Sequence, residues 1–334
     1  MTKRILIVGP AWIGDMVMAQ SLFKILHQKQ SNVQIDVLAP AWTEPVLMRM
    51  PEVHNTIQIP IEHGQLSLST RRQIGLDLRK NHYDQAIILP RSFKSAITPF
   101  FAKIPQRTGF RGEMRFGLIN DMRELDKTRL TQTVQRYVAL GLEAGAFIPG
   151  EIPYPGLQAN EDNCRRILQD LGLTLDQPVV GIMPGAEYGP AKRWPAEYFA
   201  DLALQLAQMG YQVWQFGSHK DRSIGDKIKT LSKGSALNLC GETSVEDAID
   251  LISLTKGVIT NDSGLMHIAA ALNRPVLAIY GSSSPSYTPP LTDKSRVLYL
   301  NLECSPCFKR ECPHGHYRCL KDISVDMALN ALRF

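Results

Sequence analysis

The sequence predicts an α/β fold made of two doubly wound, Rossmann-like domains, and three observations support it. β-rich runs alternate with helical stretches through both halves of the 334-residue chain. The predicted strands are continuous apolar runs, as expected when helices cover both faces of a parallel sheet. Proline and glycine punctuate residues 149–156, which is typical of a domain boundary. We therefore expect domains at residues 1–155 and 156–322.

The elements follow in order along each half. The first half has predicted strands at 4–8, 33–39, 56–59 and 85–89 and helices at 14–28 and 70–80. The second has strands at 179–183, 212–216, 257–260 and 276–280 and helices at 195–208, 246–255 and 265–272. A last helix is predicted in the segment 323–334. By analogy with other two-domain folds of this kind, we expect that segment to pack back on the first domain.

Composition excludes several classes of protein. The net charge of +5 is mild, and 44% hydrophobic residues are ordinary for a globular chain. The apolar run after Arg4 is interrupted too early for a secretion signal. No stretch approaches the ~18 apolar residues of a membrane helix. We expect a cytoplasmic protein, in peripheral contact at most with the cytoplasmic face of the inner membrane.

The first glycine-containing loop follows the first strand. Residues 9–16 read Gly-Pro-Ala-Trp-Ile-Gly-Asp-Met. The middle glycine of a dinucleotide fingerprint is missing, and Asp15 stands where a phosphate-binding loop has lysine. A carboxylate at the ligand edge of a sheet is suited to general-base catalysis. The alternative is that Asp15 merely caps the helix or favours its positive end.

Two loops of the second half have features of an anion site. Ser263 and Gly264 open a helix after an apolar strand, so their backbone N–H groups suit a diphosphate. Lys192 and Arg193 also precede a helix and could neutralise a leaving diphosphate. The alternatives are a simple N-cap and two solvated cations. Because no Asp-x-Asp triplet occurs, we expect cations and helix ends to stabilise the leaving charge without a catalytic metal.

Basic residues outnumber acidic ones between positions 71 and 136. Such a face suits a negatively charged ligand or an anionic membrane surface. We predict acceptor-binding residues at Arg71, Arg72, Arg91 and Lys94, the last two directly after a strand. A generic solvated face is the alternative. Aromatic residues are not interleaved as in a nucleic-acid stacking platform, so no nucleic-acid partner is expected.

Four of the six cysteines cluster near the carboxyl end of the sequence. Cys304, Cys307, Cys312 and Cys319 enclose two histidines, a pattern that resembles a zinc cluster. Any such zinc would be structural. Reduced thiols, or a disulfide formed on isolation, remain alternatives.

Three motifs together resemble one known family. They are the loop 9–15, the Lys-x-Trp-Pro sequence beginning at Lys192, and the Asn-Asp-Ser-Gly-x-x-His sequence beginning at Asn261. The combination is similar to the ADP-heptose–lipopolysaccharide heptosyltransferases of glycosyltransferase family 9. It is most similar to the branch that adds the second core heptose. The resemblance covers nearly the whole chain, including the cysteine-rich tail.

The resemblance implies a GT-B fold, with the two domains facing across a cleft, and an inverting mechanism without a required metal or other cofactor. It implies Asp15 as the base and Gly14 beside the donor. Lys192, Ser263 and Gly264 would bind the diphosphate, and Asp262 would contact the donor heptose. The residues 239–243 resemble the loop on the adenine side.

The implied reaction transfers L-glycero-D-manno-heptose from ADP-heptose to the first heptose of a lipid A–Kdo–heptose acceptor. Three alternatives stay open. The acceptor could belong to another core position. The chain could instead be a GT-B-like sugar-nucleotide epimerase or hydrolase, which would need no acceptor platform. It could also be a non-catalytic, zinc-dependent binding module, in which Asp15 would be dispensable.

Overall fold

Two parallel sheets organise the chain, one in each of two units, Met1–Pro155 (unit 1) and Gly156–Phe334 (unit 2). The computed structural model describes residues 2–60 and 65–332, and within these residues each sheet has six strands. This architecture confirms the predicted α/β fold class with two Rossmann-like sheets.

The sheet of unit 1 has the strand order β3-β2-β1-β4-β5-β6. Its strands are β1 (Lys3–Val8), β2 (Val33–Pro40), β3 (Asn55–Ile59), β4 (Gln85–Ile88), β5 (Gln106–Phe110) and β6 (Asp121–Arg123). The helices are α1 (Ile13–Lys29), α2 (Glu44–Leu47), α3 (Leu68–Asp77), α4 (Ile97–Phe101) and α5 (Thr133–Gly141). The direction of strand addition reverses between β1 and β4, which is the switch point of a doubly wound sheet.

Unit 2 repeats this topology, with the strand order β12-β11-β10-β7-β8-β9. Its strands are β7 (Val179–Met183), β8 (Gln212–Gln215), β9 (Ala236–Asn238), β10 (Gly257–Asn261), β11 (Val276–Ile279) and β12 (Ser295–Leu298). Its helices are α6 (Glu161–Asp170), α7 (Ala196–Gln208), α8 (Arg222–Leu231), α9 (Val245–Ser253), α10 (Gly264–Ala271), α11 (Arg318–Lys321) and α12 (Val325–Ala331). The reversal here lies between β7 and β10.

The strands differ in how clearly the sequence predicts them. β7 and β10 are buried along their whole length, so both appear as apolar runs and were predictable. β5 escapes prediction because it buries polar groups. Its Thr108 is fully buried and receives a hydrogen bond from Gln85 at 3.0 Å while donating to Asp121 at 2.8 Å. Paired polar residues of this kind leave no apolar pattern.

The final helix, α12, belongs to the core of unit 2. Its Val325 and Ala328 are buried with Phe199 of α7 in one apolar cluster. The preceding turn is tied to the same core, because the indole Nε1 of Trp194 donates to the carbonyl of Ile323 at 2.9 Å. The sequence predicts that this segment packs on the first domain. In the structure, its apolar residues pack in the core of unit 2.

The cysteine-rich tail does not form the zinc site that its spacing predicts. Among the residues that the structure describes, no group of three or more histidine, cysteine or acidic side chains could hold a metal ion. Cys319 is buried in the apolar core of unit 2, while Cys304, Cys307 and Cys312 are partly exposed. Burial, and with it the nearby Cys312, Cys304 and Cys307, raises the pKa of the Cys319 thiol to about 11. The predicted four-cysteine zinc group is thus not seen among the described residues.

Long apolar helices of the kind that cross a bilayer do not occur in the described ranges 2–60 and 65–332.

Candidate active site

Predicted catalytic, acceptor-binding and donor-binding residues lie at the switch points of the two sheets. Ligands of doubly wound sheets bind beyond the carboxyl ends of the strands that flank this point. Asp15 follows β1, and Arg91 and Lys94 follow β4, which is the neighbour of β1. In unit 2, Lys192 follows β7 and Asp262 follows β10, which also pair directly. The topology therefore brings residues far apart in sequence to one edge of each sheet.

The loop after β1 is held close to the sheet. A Cβ atom added at Gly9 would lie 2.6 Å from the terminal methyl of Met16 and 3.3 Å from Val37, so this turn packs closely on α1 and β2. Trp12 is the N-cap residue of α1, and Gly14 and Asp15 are in its first turn. Gly14 is buried and Asp15 is half-buried. Asp15 therefore does not cap the helix, although a carboxylate in the first turn does favour its positive end.

Arg91 and Lys94 are placed at the carboxyl edge of the unit 1 sheet. Arg91 is exposed, and its Nε donates to the carbonyl of Arg111 at 3.2 Å. Lys94 Nζ donates to the carbonyl of Gln65 at 3.4 Å. Both side chains keep hydrogen-bonding capacity beyond these contacts, because a guanidinium has five N–H donors and an ammonium has three.

The other two predicted acceptor residues, both on α3, differ in burial. The guanidinium of Arg71 is buried and donates to the carbonyl of Leu66 at 2.7 Å, and burial lowers the pKa of Arg71. The Arg71 side chain therefore stabilises the local structure of unit 1. Arg72 is exposed and lies over the ring of Phe101, 5.7 Å from its centroid.

Arg115 is a site-organising residue that sequence reasoning missed. Its side chain is fully buried and donates to the carbonyls of Pro90 at 2.8 Å and Phe110 at 2.5 Å, and to the hydroxyl of Ser95 at 3.0 Å. It thus joins the loop after β4 to the loop after β5. Burial and the nearby Arg91 lower the pKa of Arg115 to about 10. No sequence signal separates it from the exposed bases around it.

A buried carboxylate forms an ion pair at the switch point of unit 2. Lys192 Nζ lies 2.5 Å from a carboxylate oxygen of Asp262, and the Asp262 side chain is only 5% exposed. Lys192 ends a short 3₁₀ turn, Pro190–Lys192, that precedes α7. The lysine is thus held over the amino end of α10, where a negatively charged group is favoured.

Asn261 connects the two loops that carry this ion pair, and sequence reasoning missed its role. The side chain is fully buried. Its amide oxygen accepts from the backbone N–H of Trp194 at 3.0 Å, and its amide nitrogen donates to the carbonyl of Pro184 at 2.8 Å. The sequence signal was present, since Asn261 begins the conserved-looking Asn-Asp-Ser-Gly motif, but only the fold shows what the amide contacts.

The amino end of α10 is open toward the loops. Ser263 is its N-cap residue but makes no side-chain capping bond, and Gly264 is its first residue. His267 lies one turn further on and is 4% exposed. Burial lowers the pKa of His267 to about 4, reinforced by Lys192 and opposed by Asp262. The imidazole is therefore neutral at neutral pH and is part of the core beneath the site.

Two Rossmann-like units with these switch points define a class of protein, the nucleotide-sugar-dependent glycosyltransferases. In unit 1, Asp15 lies in a loop that lacks the dinucleotide-binding fingerprint. In unit 2, Lys192 lies near the start of α10, which suits a diphosphate. The chain belongs to glycosyltransferase family 9 (heptosyltransferase), whose sequence profile matches residues 71–318.

The relatives extend this similarity over nearly the full chain. Lipopolysaccharide heptosyltransferase 2 of Escherichia coli K12 is 46% identical, with 98% of this chain and 97% of the relative covered. Lipooligosaccharide heptosyltransferase 2 of Haemophilus influenzae is 45% identical, with 98% of each covered. The solved structure of E. coli ADP-heptose lps heptosyltransferase II superimposes with a TM-score of 0.88 at 44% identity, covering 98% of this chain and 96% of that one.

Proposed function

We propose that this protein is an inverting heptosyltransferase that moves L-glycero-D-manno-heptose from ADP-heptose to the first heptose of the lipopolysaccharide inner core. The observation that carries the proposal is the Lys192–Asp262 ion pair at the switch point of unit 2, beside the amino end of α10. The names of the full-length relatives point to the same donor and acceptor. Unit 2, residues 156–322 with the helix that follows, would hold ADP-heptose.

The donor is bound by charge and by backbone N–H groups. Lys192 contacts the diphosphate, while Ser263 and Gly264 offer the N–H groups at the start of α10. Asp262, held by Lys192, accepts hydrogen bonds from hydroxyls of the donor heptose. Because these groups take up the leaving charge, transfer needs no metal ion, and a chelator such as EDTA leaves the rate unchanged.

The acceptor is bound by unit 1, residues 1–155. Asp15 removes the proton from the attacking hydroxyl of the acceptor heptose. The oxygen then attacks the anomeric carbon from the side opposite ADP, the bond to the diphosphate breaks, and ADP leaves. Gly14 allows close approach beside the donor, which supports in-line geometry.

Charge also guides the acceptor's position. Arg72, Arg91 and Lys94 contact the phosphates and Kdo carboxylates of a lipid A–Kdo–heptose acceptor, and Arg71 positions the segment next to them. Since that acceptor is a membrane lipid, the enzyme works in the cytoplasm at the inner-membrane surface, held peripherally by its basic face.

Incubation with ADP-heptose and a heptose-deficient core tests the proposal. Asp15→Asn keeps the shape of the side chain but removes the base, so the transfer rate falls about 10²–10⁴-fold. Asp77→Asn, an exposed acid of α3, serves as the matched control and keeps the wild-type rate. Release of heptose without acceptor would favour a hydrolase or epimerase, and no turnover at all would favour a binding module. Efficient use of an acceptor from another core position would reassign the branch.

A further inference from the structure

The cysteine-rich tail packs directly on the loop that carries Lys192. The hydroxyl of Tyr188 donates to the carbonyl of Phe308 at 2.7 Å, and the N–H of Ala191 donates to the carbonyl of Arg310 at 3.0 Å. On the other side, the N–H of Phe308 donates to the carbonyl of Ser282 at 2.7 Å. Backbone bonds on both sides thus fix residues 308–310, so the position of this segment does not depend on the Arg310 side chain.

Two cations share one aromatic ring at this contact. Lys192 Nζ lies 5.1 Å from the centroid of the Tyr188 ring, and the guanidinium carbon of Arg310 lies 5.6 Å from the same centroid. Arg310 is exposed. The tail therefore places a second positive charge on the same aromatic ring as the lysine that faces Asp262.

Two lysines around this loop are paired with carboxylates, and Arg193 is tied to a backbone carbonyl. Lys192 is paired with Asp262 at 2.5 Å, and Lys220 is paired with Glu187 at 2.6 Å. The guanidinium of Arg193 donates to the carbonyl of Ala186 at 3.1 Å. Within residues 2–60 and 65–332, by contrast, Arg310 has no carboxylate partner, only the face of Tyr188.

A further cation would strengthen the binding of a diphosphate at this site. A nucleoside diphosphate sugar carries more than one negative charge, and its diphosphate gains another as the sugar leaves. Asp262 cancels the charge of Lys192, and the end of α10 contributes only a partial positive charge. The geometry points to Arg310 as a binding residue for the diphosphate of the nucleotide donor, supplied by the tail.

The guanidinium of Arg310 has the right chemistry for this role. Its planar fork can donate two parallel hydrogen bonds to phosphate oxygens, which an ammonium cannot do. On binding, it exchanges a weak contact with the Tyr188 face for a charge-assisted contact with phosphate. The tail thereby has a function that needs no metal: it holds one arginine beside the leaving group.

Arg310→Gln in the full-length chain tests this inference, with ADP binding measured by calorimetry and adenosine binding by ligand-observed NMR. Loss of a charged hydrogen bond is expected to weaken ADP binding about 10-fold to 100-fold. Adenosine lacks phosphate and should bind both proteins equally. Lys309→Gln removes the adjacent exposed charge and is the matched control, expected to bind ADP as the wild type does.

Several outcomes would overturn the inference. They are wild-type ADP affinity in Arg310→Gln, an equal loss of ADP and adenosine binding, or an equal effect of Lys309→Gln. Arg310→Lys, which retains the charge but not the fork, is expected to fall between wild type and Arg310→Gln, and it serves if the glutamine variant folds poorly. The inference rests on the proposed function only for the nucleotide. A wild-type protein that bound ADP but did not transfer heptose would refute that function and leave the Arg310 comparison valid.

Discussion

His267 is buried beneath the Lys192–Asp262 pair. Its protonation makes the free energy of unfolding depend on pH. Its pKa is about 4 in the folded chain, below the ordinary value of 6.5, because burial disfavours the charged form. The unfolded chain therefore binds the additional proton first as the pH falls. The stability that neutral His267 contributes is complete above pH 6.5 and is lost progressively down to pH 4.

We expect this loss to reach about 3 kcal/mol at pH 4. Chemical denaturation between pH 7 and pH 4 measures it. His267→Gln removes the titration, so the unfolding free energy of that variant should depend less steeply on pH than that of the wild type. His314→Gln, at an exposed position, should reproduce the wild-type slope. Parallel pH profiles for all three proteins would contradict the expectation.

Asn261 holds two loops together because its uncharged amide can both accept and donate a hydrogen bond. In Asn261→Asp, the acceptor for Trp194 N–H is kept, but a carboxylate then faces the carbonyl of Pro184. We expect a loss of about 1–3 kcal/mol in the free energy of unfolding, because a buried group is left unpaired. Urea titration measures this loss. Gln158→Glu makes the same chemical change at an exposed position and should be neutral.

At the scale of elements, one glycine allows the tail to pack closely on the loop that carries Lys192. Gly189 has φ 148°, and a Cβ atom there would lie 2.6 Å from the carbonyl oxygen of Arg310. Both the backbone conformation and the close approach therefore exclude a side chain.

Gly189→Ala should lower the free energy of unfolding by about 1–3 kcal/mol and weaken ADP binding, because it separates the tail from the loop. Thermal unfolding and calorimetry measure the two effects. Gly150→Ala is the matched control, since a Cβ there meets nothing within 4 Å. An alanine variant as stable as wild type, with unchanged ADP affinity, would show that the tail contact does not support the site.

Elements differ in how far local sequence determines them. The helix α1 was predictable because glycine precedes a long stretch of helix formers. The position of α12 was not, since its few apolar residues could cover either unit. Only the pairing of Trp194 with Ile323 and the cluster around Phe199 place it in unit 2.

At the scale of the molecule, we predict that a nucleotide binds to unit 2. ADP added to the full-length chain should slow amide exchange in the loops after β7 and β10 and in the tail segment 308–310. Hydrogen–deuterium exchange with mass spectrometry measures this. Helix α5 of unit 1, which has no ligand-binding role in the proposed function, serves as the internal reference and should change less. Protection confined to unit 1 would contradict the assignment of the nucleotide to unit 2.

The sequence by itself determined the two Rossmann-like sheets, because apolar strands and their spacing are local properties. It also indicated Asp15, Lys192 and Asp262, since short motifs follow strand ends. The partners of those residues were decided by tertiary structure alone. Arg115, Asn261 and Arg310 contact groups from distant parts of the chain. Contacts between distant segments depend on how elements pack, which no local pattern encodes.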